Sequence, residues 1–283
     1  MKDNITVYEP NQRLNIGIFK IWGTMIRNIV RSRDLISQLF KRDFFAAYKK
    51  SFLGATWIFI SPIIGILSWV LMNYAGVLKP GDVGIPYPAY VLLSSSIWGL
   101  FMGFYQSSSE TLNAGKGFIM QVNFPHEVLL IKQTAQHLAN FLLSFALTIL
   151  ILLFFKVVPS WKIIFFPVAI MPLFFLGAGI GLVISVVGAV AMDLQKGFAY
   201  VMQFLMYITP VIYAPESGNS TFQFVLRWNP LTYLVCEVRN LIIYGKINEW
   251  HGFLYSSLFA LIIFLISWRF FYIAEEKVIE KMI

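Results

Sequence analysis

Long apolar runs alternate with short polar interruptions along the chain, and the runs set its architecture. Residues 52–75 carry only Thr56, Ser61, Ser68 and Asn73 as polar side chains. A run of about 20 apolar residues is what a bilayer core demands of a helix. The pattern recurs at 89–108, 130–155, 163–192, 198–214 and 253–273. It predicts an all-α integral membrane protein with six transmembrane helices. Pro62 should bend the first, because its ring removes one backbone hydrogen bond.

The interruptions have their own character. A Pro/Gly turn occupies 79–88 and KVVPSWK occupies 156–162, while DLQKG at 193–197 is expected to break the chain tightly. Residues 109–127, around LNAGKGFIMQVNFPHE, are too polar to cross and predict a loop with a short helix. Within it Asn113, Lys116, Phe118 and Ile119 combine that helix with an apolar tip. Such a tip is costly in water unless a partner protein or the headgroup layer receives it.

Ahead of the first span, residues 1–33 are polar and mixed and are expected to form an arm. Residues 34–50 put Ile36, Leu39, Phe40, Phe44 and Ala47 on one helical face, opposite Lys41, Arg42 and Lys49. That is an amphipathic helix suited to the headgroup plane, with a short soluble helix packing on a partner as the alternative. The expected organisation is thus an arm (1–33), an interface helix (34–50), a six-span domain (51–273) and a charged tail (274–283).

WNPLTYLVCEVRNLIIYGK, at 228–246, is apolar enough to tempt a seventh span, yet carries Glu237 and Arg239. Between Pro230 and Gly245 there is room for only about 21 Å of helix, at about 1.5 Å per residue. The hydrocarbon core is roughly 30 Å thick. Leu231, Leu234, Val235, Val238 and Ile242 share one face, and Tyr233, Glu237, Asn240 and Tyr244 the opposite one. Glu237 and Arg239, two apart, do not face each other. The stretch should dip into or lie on the outer surface, with its aromatic-polar face toward water.

Composition sharpens the class. The chain is 58% hydrophobic with a mean hydropathy of +0.70, and only 13% is charged, against roughly 25% in soluble domains. The net charge of +8 reports orientation rather than nucleic-acid binding. With the N-terminus inside, 16 of the 22 lysines and arginines fall in inner segments and 6 in outer ones, which places both ends in the cytoplasm. One cysteine excludes an internal disulfide, and the three histidines show no metal-ligand spacing. The basic, interrupted first 50 residues do not read as a cleavable leader.

Catalytic motifs are missing from the sequence. Gly115-Lys116-Gly117 lacks the frame of a phosphate-binding loop, and neither H-E-x-x-H nor G-x-S-x-G occurs. Coupled carriers bury ionisable groups at mid-membrane, whereas Lys132 and Arg269 fall near span ends, where they can snorkel. What the spans hold instead is aromatic side chains. Tyr200, Gln203, Phe204 and Tyr207 recur on one face of the fifth span. Trp57 and Ser61 stand on the first, and Trp98, Phe101 and Tyr105 on the second. They suit interfacial belts, or a conduit wall that offers flat apolar contact to sugar rings and replaceable hydrogen bonds. Gly177, Gly181 and Ser185 form small-xxx-small steps that let another helix approach.

Several local motifs resemble the ABC-2-type permeases that export polysaccharides, namely O-antigen, capsule and teichoic acid. They are Arg42-Asp43 with Tyr48-Lys49-Lys50-Ser51-Phe52-Leu53-Gly54 and Ser61-Pro62; Asn123-Phe124-Pro125 with Glu127; and Asn229-Pro230-Leu231-Thr232 with Arg239 and Tyr244-Gly245. The resemblance implies a homodimer of six-span subunits in the bacterial inner membrane, paired with two cytoplasmic ATPase subunits that bind ATP and Mg. It also implies short re-entrant outer helices between the last two spans and a polysaccharide cargo on a lipid diphosphate. The chain itself would hold no cofactor and bind no nucleic acid. On that reading Arg42, Lys49 and Lys50 admit the diphosphate, and residues 109–127 couple to the ATPase. Tyr233, Glu237, Asn240 and Tyr244 would form an outer gate. A membrane-bound glycosyl- or acyltransferase using His126, Glu127 and His137, and a purely structural membrane subunit, remain as alternatives.

Overall fold

The computed structural model describes residues 17–49, 54–113 and 125–282. Among the described residues every regular element is helical. They comprise α1 (Ile18–Arg31), α2 (Arg33–Lys49), α3 (Trp57–Tyr74), α4 (Tyr87–Ser109) and α5 (Glu127–Phe154). There follow α6 (Met171–Val190), α7 (Met192–Phe204), α8 (Ser220–Trp228), α9 (Pro230–Tyr244) and α10 (Trp250–Met282).

Four stretches are long and apolar enough to cross a membrane: Trp57–Tyr74, Glu127–Phe154, Trp161–Val190 and Trp250–Glu275. They lie at the first, third, fourth and sixth predicted spans. At the second predicted span stands α4, 23 residues long. It is the most enclosed of the long helices, with α6 against one flank and α5 and α3 against others.

The region of the fifth predicted span differs from expectation. The chain breaks at Ala191 (φ −138°, ψ 92°), and Asp193–Gly197 lie inside α7. DLQKG is therefore the start of a helix and not a break. A carboxylate in a first turn faces the positive end of the helix, so Asp193 favours initiation. The helix has 13 residues and one 3-10 turn, Leu205–Ile208, before the chain extends at Thr209.

Two further features concern the ends. Part of the expected arm is helical: α1 buries Ile21 and Met25 against Phe271 and Trp268 of α10. The Trp22 indole donates to the Leu265 carbonyl at 3.3 Å. At the other terminus α10 continues to Met282 through the expected tail.

Glycines set how closely the central helices pack. A side chain on Gly177 would lie 2.9 Å from the Phe101 carbonyl, and one on Gly181 would meet the Tyr105 carbonyl and Ser108 of α4. Ser185 continues the row, its hydroxyl accepting from the Leu112 amide at 3.1 Å. The small-residue steps of α6 thus receive α4, while Gly179 faces Phe264 of α10.

Helix α9 begins and ends as its sequence dictates. Asn229 caps it by accepting from the Leu231 amide at 3.0 Å, Pro230 fills the first turn, and Gly245 closes it at φ 65°. Of the side expected to face water, Tyr244 is exposed and Tyr233 and Asn240 are partly so, but Glu237 is not. Glu237 and Arg239 are each only 3% exposed, because α4, α10 and the Trp161–Ala169 segment close around the helix. As predicted, the two charges do not pair with each other. Glu237 accepts from the Asn248 amide at 2.6 Å. Arg239 donates to Ser94 Oγ at 3.0 Å and to the Pro210 carbonyl at 2.9 Å, and lies 4.4 Å from the Tyr90 ring centre.

Candidate functional site

Two cavities that share lining residues lie between α4 and α5, and α3 walls the larger. The larger, about 730 Å³, is lined by Trp57, Ser61, Trp69, Trp98 and Ser144 among others. The smaller, about 380 Å³, is lined by Gln106, Glu110, Lys132, Gln133 and Gln136. His137 and Asn140 belong to both. The result is a groove that is polar and charged toward the α2 end and aromatic farther along.

Its shape follows from local sequence choices. Gly103 on α4 has no side chain, and the His137 imidazole fills the space one would need. That ring makes a 3.1 Å hydrogen-bonding contact with the Leu100 carbonyl and stands edge-on to Phe104. On the other wall, the Ser61 hydroxyl donates to the Trp57 carbonyl at 2.7 Å, which turns its polarity back into the helix beside Pro62. Ser96 and Thr148 join α4 to α5 at 3.0 Å. Ser95 Oγ and Gln133 Oε1 are buried with no hydrogen-bond partner among the described residues. An unpaired buried polar atom costs about 1–3 kcal/mol, so a hydroxylated ligand that hydrogen-bonds either atom would recover that cost.

At the α2 end the groove has an electrostatic anchor. Lys132 is buried and bonds Asp43 of α2 at 3.0 Å, and Asp43 also pairs with Arg42 at 2.6 Å. Lys132 therefore does not snorkel as expected but ties α5 to α2. Burial alone would raise the Asp43 carboxyl; its hydrogen bonds from Arg42 and Lys132 outweigh that and hold it below the ordinary carboxylate range.

The structure redistributes the residues singled out from sequence. Trp57, Ser61 and Trp98 meet in the larger cavity. Phe101 and Tyr105 do not join them: both are wholly buried in the core, since the close approach of α6 to α4 encloses them. Tyr200, Gln203, Phe204 and Tyr207 are exposed on α7 and the turn after it. Of these, Tyr207 comes nearest the groove, edge-on to Trp69 with ring centres 6.1 Å apart.

Arg42 is exposed at the α2 surface. Lys49 is the last residue of α2, and Lys50 lies outside the described residues, as do Lys116, Phe118 and Ile119. Asn113 donates to Gln195 at 2.8 Å, and Gln195 donates in turn to the Ser109 carbonyl at 2.8 Å, so the end of α4 is tied to the start of α7. Tyr233, Glu237 and Asn240 line a separate cavity of about 560 Å³ at the opposite end. Tyr244 is apart from them, its hydroxyl against Gly84.

The residues once weighed as a transferase centre do not assemble. His126 lies 3.5 Å from Glu275, and Glu127 accepts from Asn28 at 3.5 Å. His137 is about 15 Å farther along the axis of α5. The polar start of the third span was not assigned to a site from sequence. Its signal was the i, i+3, i+4 spacing of Gln133, Gln136, His137 and Asn140, which lays amides and imidazole along one helical stripe.

Comparison with known proteins decides the family. The ABC-2 type transporter family matches over residues 34–243. The chain belongs to that family. Among relatives of this ABC-2 transporter chain, the O-antigen export system permease protein RfbA of Myxococcus xanthus is 24% identical over 75% of this chain and 81% of its own length. A protein of the same name from Klebsiella pneumoniae is 23% identical over 79% of this chain and 86% of its own. The polysialic acid transport protein KpsM of Escherichia coli is 23% identical over 87% of this chain and 95% of its own.

Proposed function

We propose that the chain is the permease subunit of an ATP-driven exporter that moves a lipid-linked polysaccharide, O-antigen foremost, out of the cytoplasm across a bacterial inner membrane. The observation that carries this reading is the groove whose two cavities share His137 and Asn140. Amides, hydroxyls and tryptophans in sequence suit a chain of sugars that must bind weakly and keep moving. The names of the relatives support the cargo class. The match to the polysialic acid protein favours capsule polysaccharide as the second reading.

On this reading the α1–α2 end faces the cytoplasm, consistent with the lysine and arginine bias. Two such chains would form the conduit, with the exposed aromatics of α7 completing its wall. Arg42, Lys49 and Lys50 would receive the lipid diphosphate. Two ATPase subunits would supply energy, binding ATP and Mg themselves, through Asn113, Lys116, Phe118 and Ile119. Tyr233, Glu237, Asn240 and Tyr244 would gate the outer end.

Replacing Trp98 and Asn140 by Ala tests the proposal in a strain whose surface polysaccharide depends on this chain. Surface polymer should fall at unchanged membrane level, with ATP hydrolysis by the assembled complex retained. Normal surface polymer in the double variant would remove the groove from the export path.

A further inference from the structure

At the end opposite α1 and α2 lies a second groove that shares no lining residue with the α3–α5 groove. It lies between the Trp161–Ala169 segment, the end of α9 and the start of α10, and encloses about 650 Å³. Phe165, Val168, Trp250 and Phe253 form apolar walls, and Lys162 and Lys246 supply the charge. We propose that this groove binds the headgroup of an anionic membrane phospholipid, with its acyl chain along the apolar wall.

The groove is placed for lipid. Candidate spans start at Trp161 and at Trp250, so its floor falls where a hydrocarbon core gives way to headgroups. Tryptophan is enriched at that depth. Trp161, Ile164, Phe165 and Val168 are all exposed beside it, as expected for surfaces that meet acyl chains.

The two cations are brought together by backbone, not by chance contact. The Ser160 amide donates to the Ile242 carbonyl at 2.7 Å. Gly245, at φ 65°, leaves no room for a side chain: one would overlap Ser160 and come 3.4 Å from Lys162 Cδ. Lys162 therefore lies beside the turn that carries Lys246. Among the described residues no carboxylate forms an ion pair with either. Like charges at the edge of a low-dielectric slab repel, and a phosphate between them relieves that repulsion. Both also lie on the side that carries few lysines and arginines, where topology does not call for them.

The test uses the full chain in the oligomer in which it purifies, stripped of lipid and titrated with phosphatidylglycerol or phosphatidylcholine of matched acyl chains, read by native mass spectrometry. The wild type and a Lys162→Arg/Lys246→Arg variant should prefer phosphatidylglycerol. In Lys162→Gln/Lys246→Gln that preference should fall roughly thirtyfold, as losing two surface charges at a membrane implies. If the double variant fails to fold, Lys246→Gln alone, at an exposed position, should show a smaller loss of the same kind. An unchanged preference in the Gln variants would overturn the proposal. So would displacement of the lipid by inorganic phosphate alone, which would mark a free-anion site. Dissociation of the oligomer in the Gln variant without bound lipid in either form would assign the groove to a second copy of the chain and equally overturn it.

Discussion

The imidazole of His137 on α5 occupies the volume that any side chain at Gly103 on α4 would need. Because His137 borders both cavities of the groove, this seat sets the width of the passage between them. Gly103→Ala should displace the ring and lose its contact with the Leu100 carbonyl. Overpacking of this kind costs about 1–3 kcal/mol. Thermal melting of the purified protein should register that loss, and export should fall further than protein level does. Gly197→Ala, inside α7 where a side chain meets nothing within 4 Å, should instead stabilise by about 0.5–1 kcal/mol, the helix-propensity gain of Ala over Gly.

Arg239 fastens α9 to α4 and to the turn at Pro210. Its guanidinium serves Ser94, the Pro210 carbonyl and the Tyr90 face at once, a geometry an ammonium cannot reproduce. Arg239→Leu should leave buried polar atoms unpaired, at about 1–3 kcal/mol for each, and membrane yield should drop. Arg239→Lys should recover only part. A double-mutant cycle provides the check: Ser94→Ala should cost about 1 kcal/mol less in the Arg239→Leu background than alone. Strict additivity would mean that the 3.0 Å contact contributes nothing.

The Asp43–Lys132 tie makes a pH-dependent prediction. The folded carboxyl titrates below its ordinary value of 3.8. Its contribution is therefore fully present above that value and is lost as pH falls through the lowered folded value. Hydrogen exchange in α2 should stay constant between about pH 5 and 8 once corrected for intrinsic rates, and rise only in stronger acid. Asp43→Asn should loosen α2 at neutral pH by about 0.5–1 kcal/mol, the scale of a partly exposed ion pair. It should also abolish the acid dependence.

Sequence and structure agree where one physical rule dominates. The apolar runs of α3, α5, α6 and α10 were legible because length and hydropathy alone decide them. Helix α1 was not: Lys20, Arg27 and Arg31 gave its segment a polar average, although Ile21 and Met25 share a buried face. The break at Ala191 was missed because Asp193 and Gly197 look like turn residues, while Asp193 starts a helix. Glu237 was read as facing water, since nothing local to α9 announces the Asn248 amide eleven residues on. Asn229-Pro230 and Gly245 were different, because capping is local and the ends of α9 follow from it. The groove itself lies between helices. Trp57, Ser61 and Trp98 were legible as candidates, but their meeting with His137 and Asn140 depends on Gly103, whose role appears only in packing.

The central claim is that polysaccharide passes along the α3–α5 groove, and site-specific photo-crosslinking reads this most directly. A photoreactive residue is placed at Asn140 or Ser61, with exposed Phe259 of α10 as the control, in the complex assembled with its ATPase and supplied with labelled polysaccharide. The account predicts glycan adducts at Asn140 and Ser61 that require hydrolysable ATP, and none at Phe259. Adducts with lipid alone at all three positions, in a complex that still exports, would contradict it.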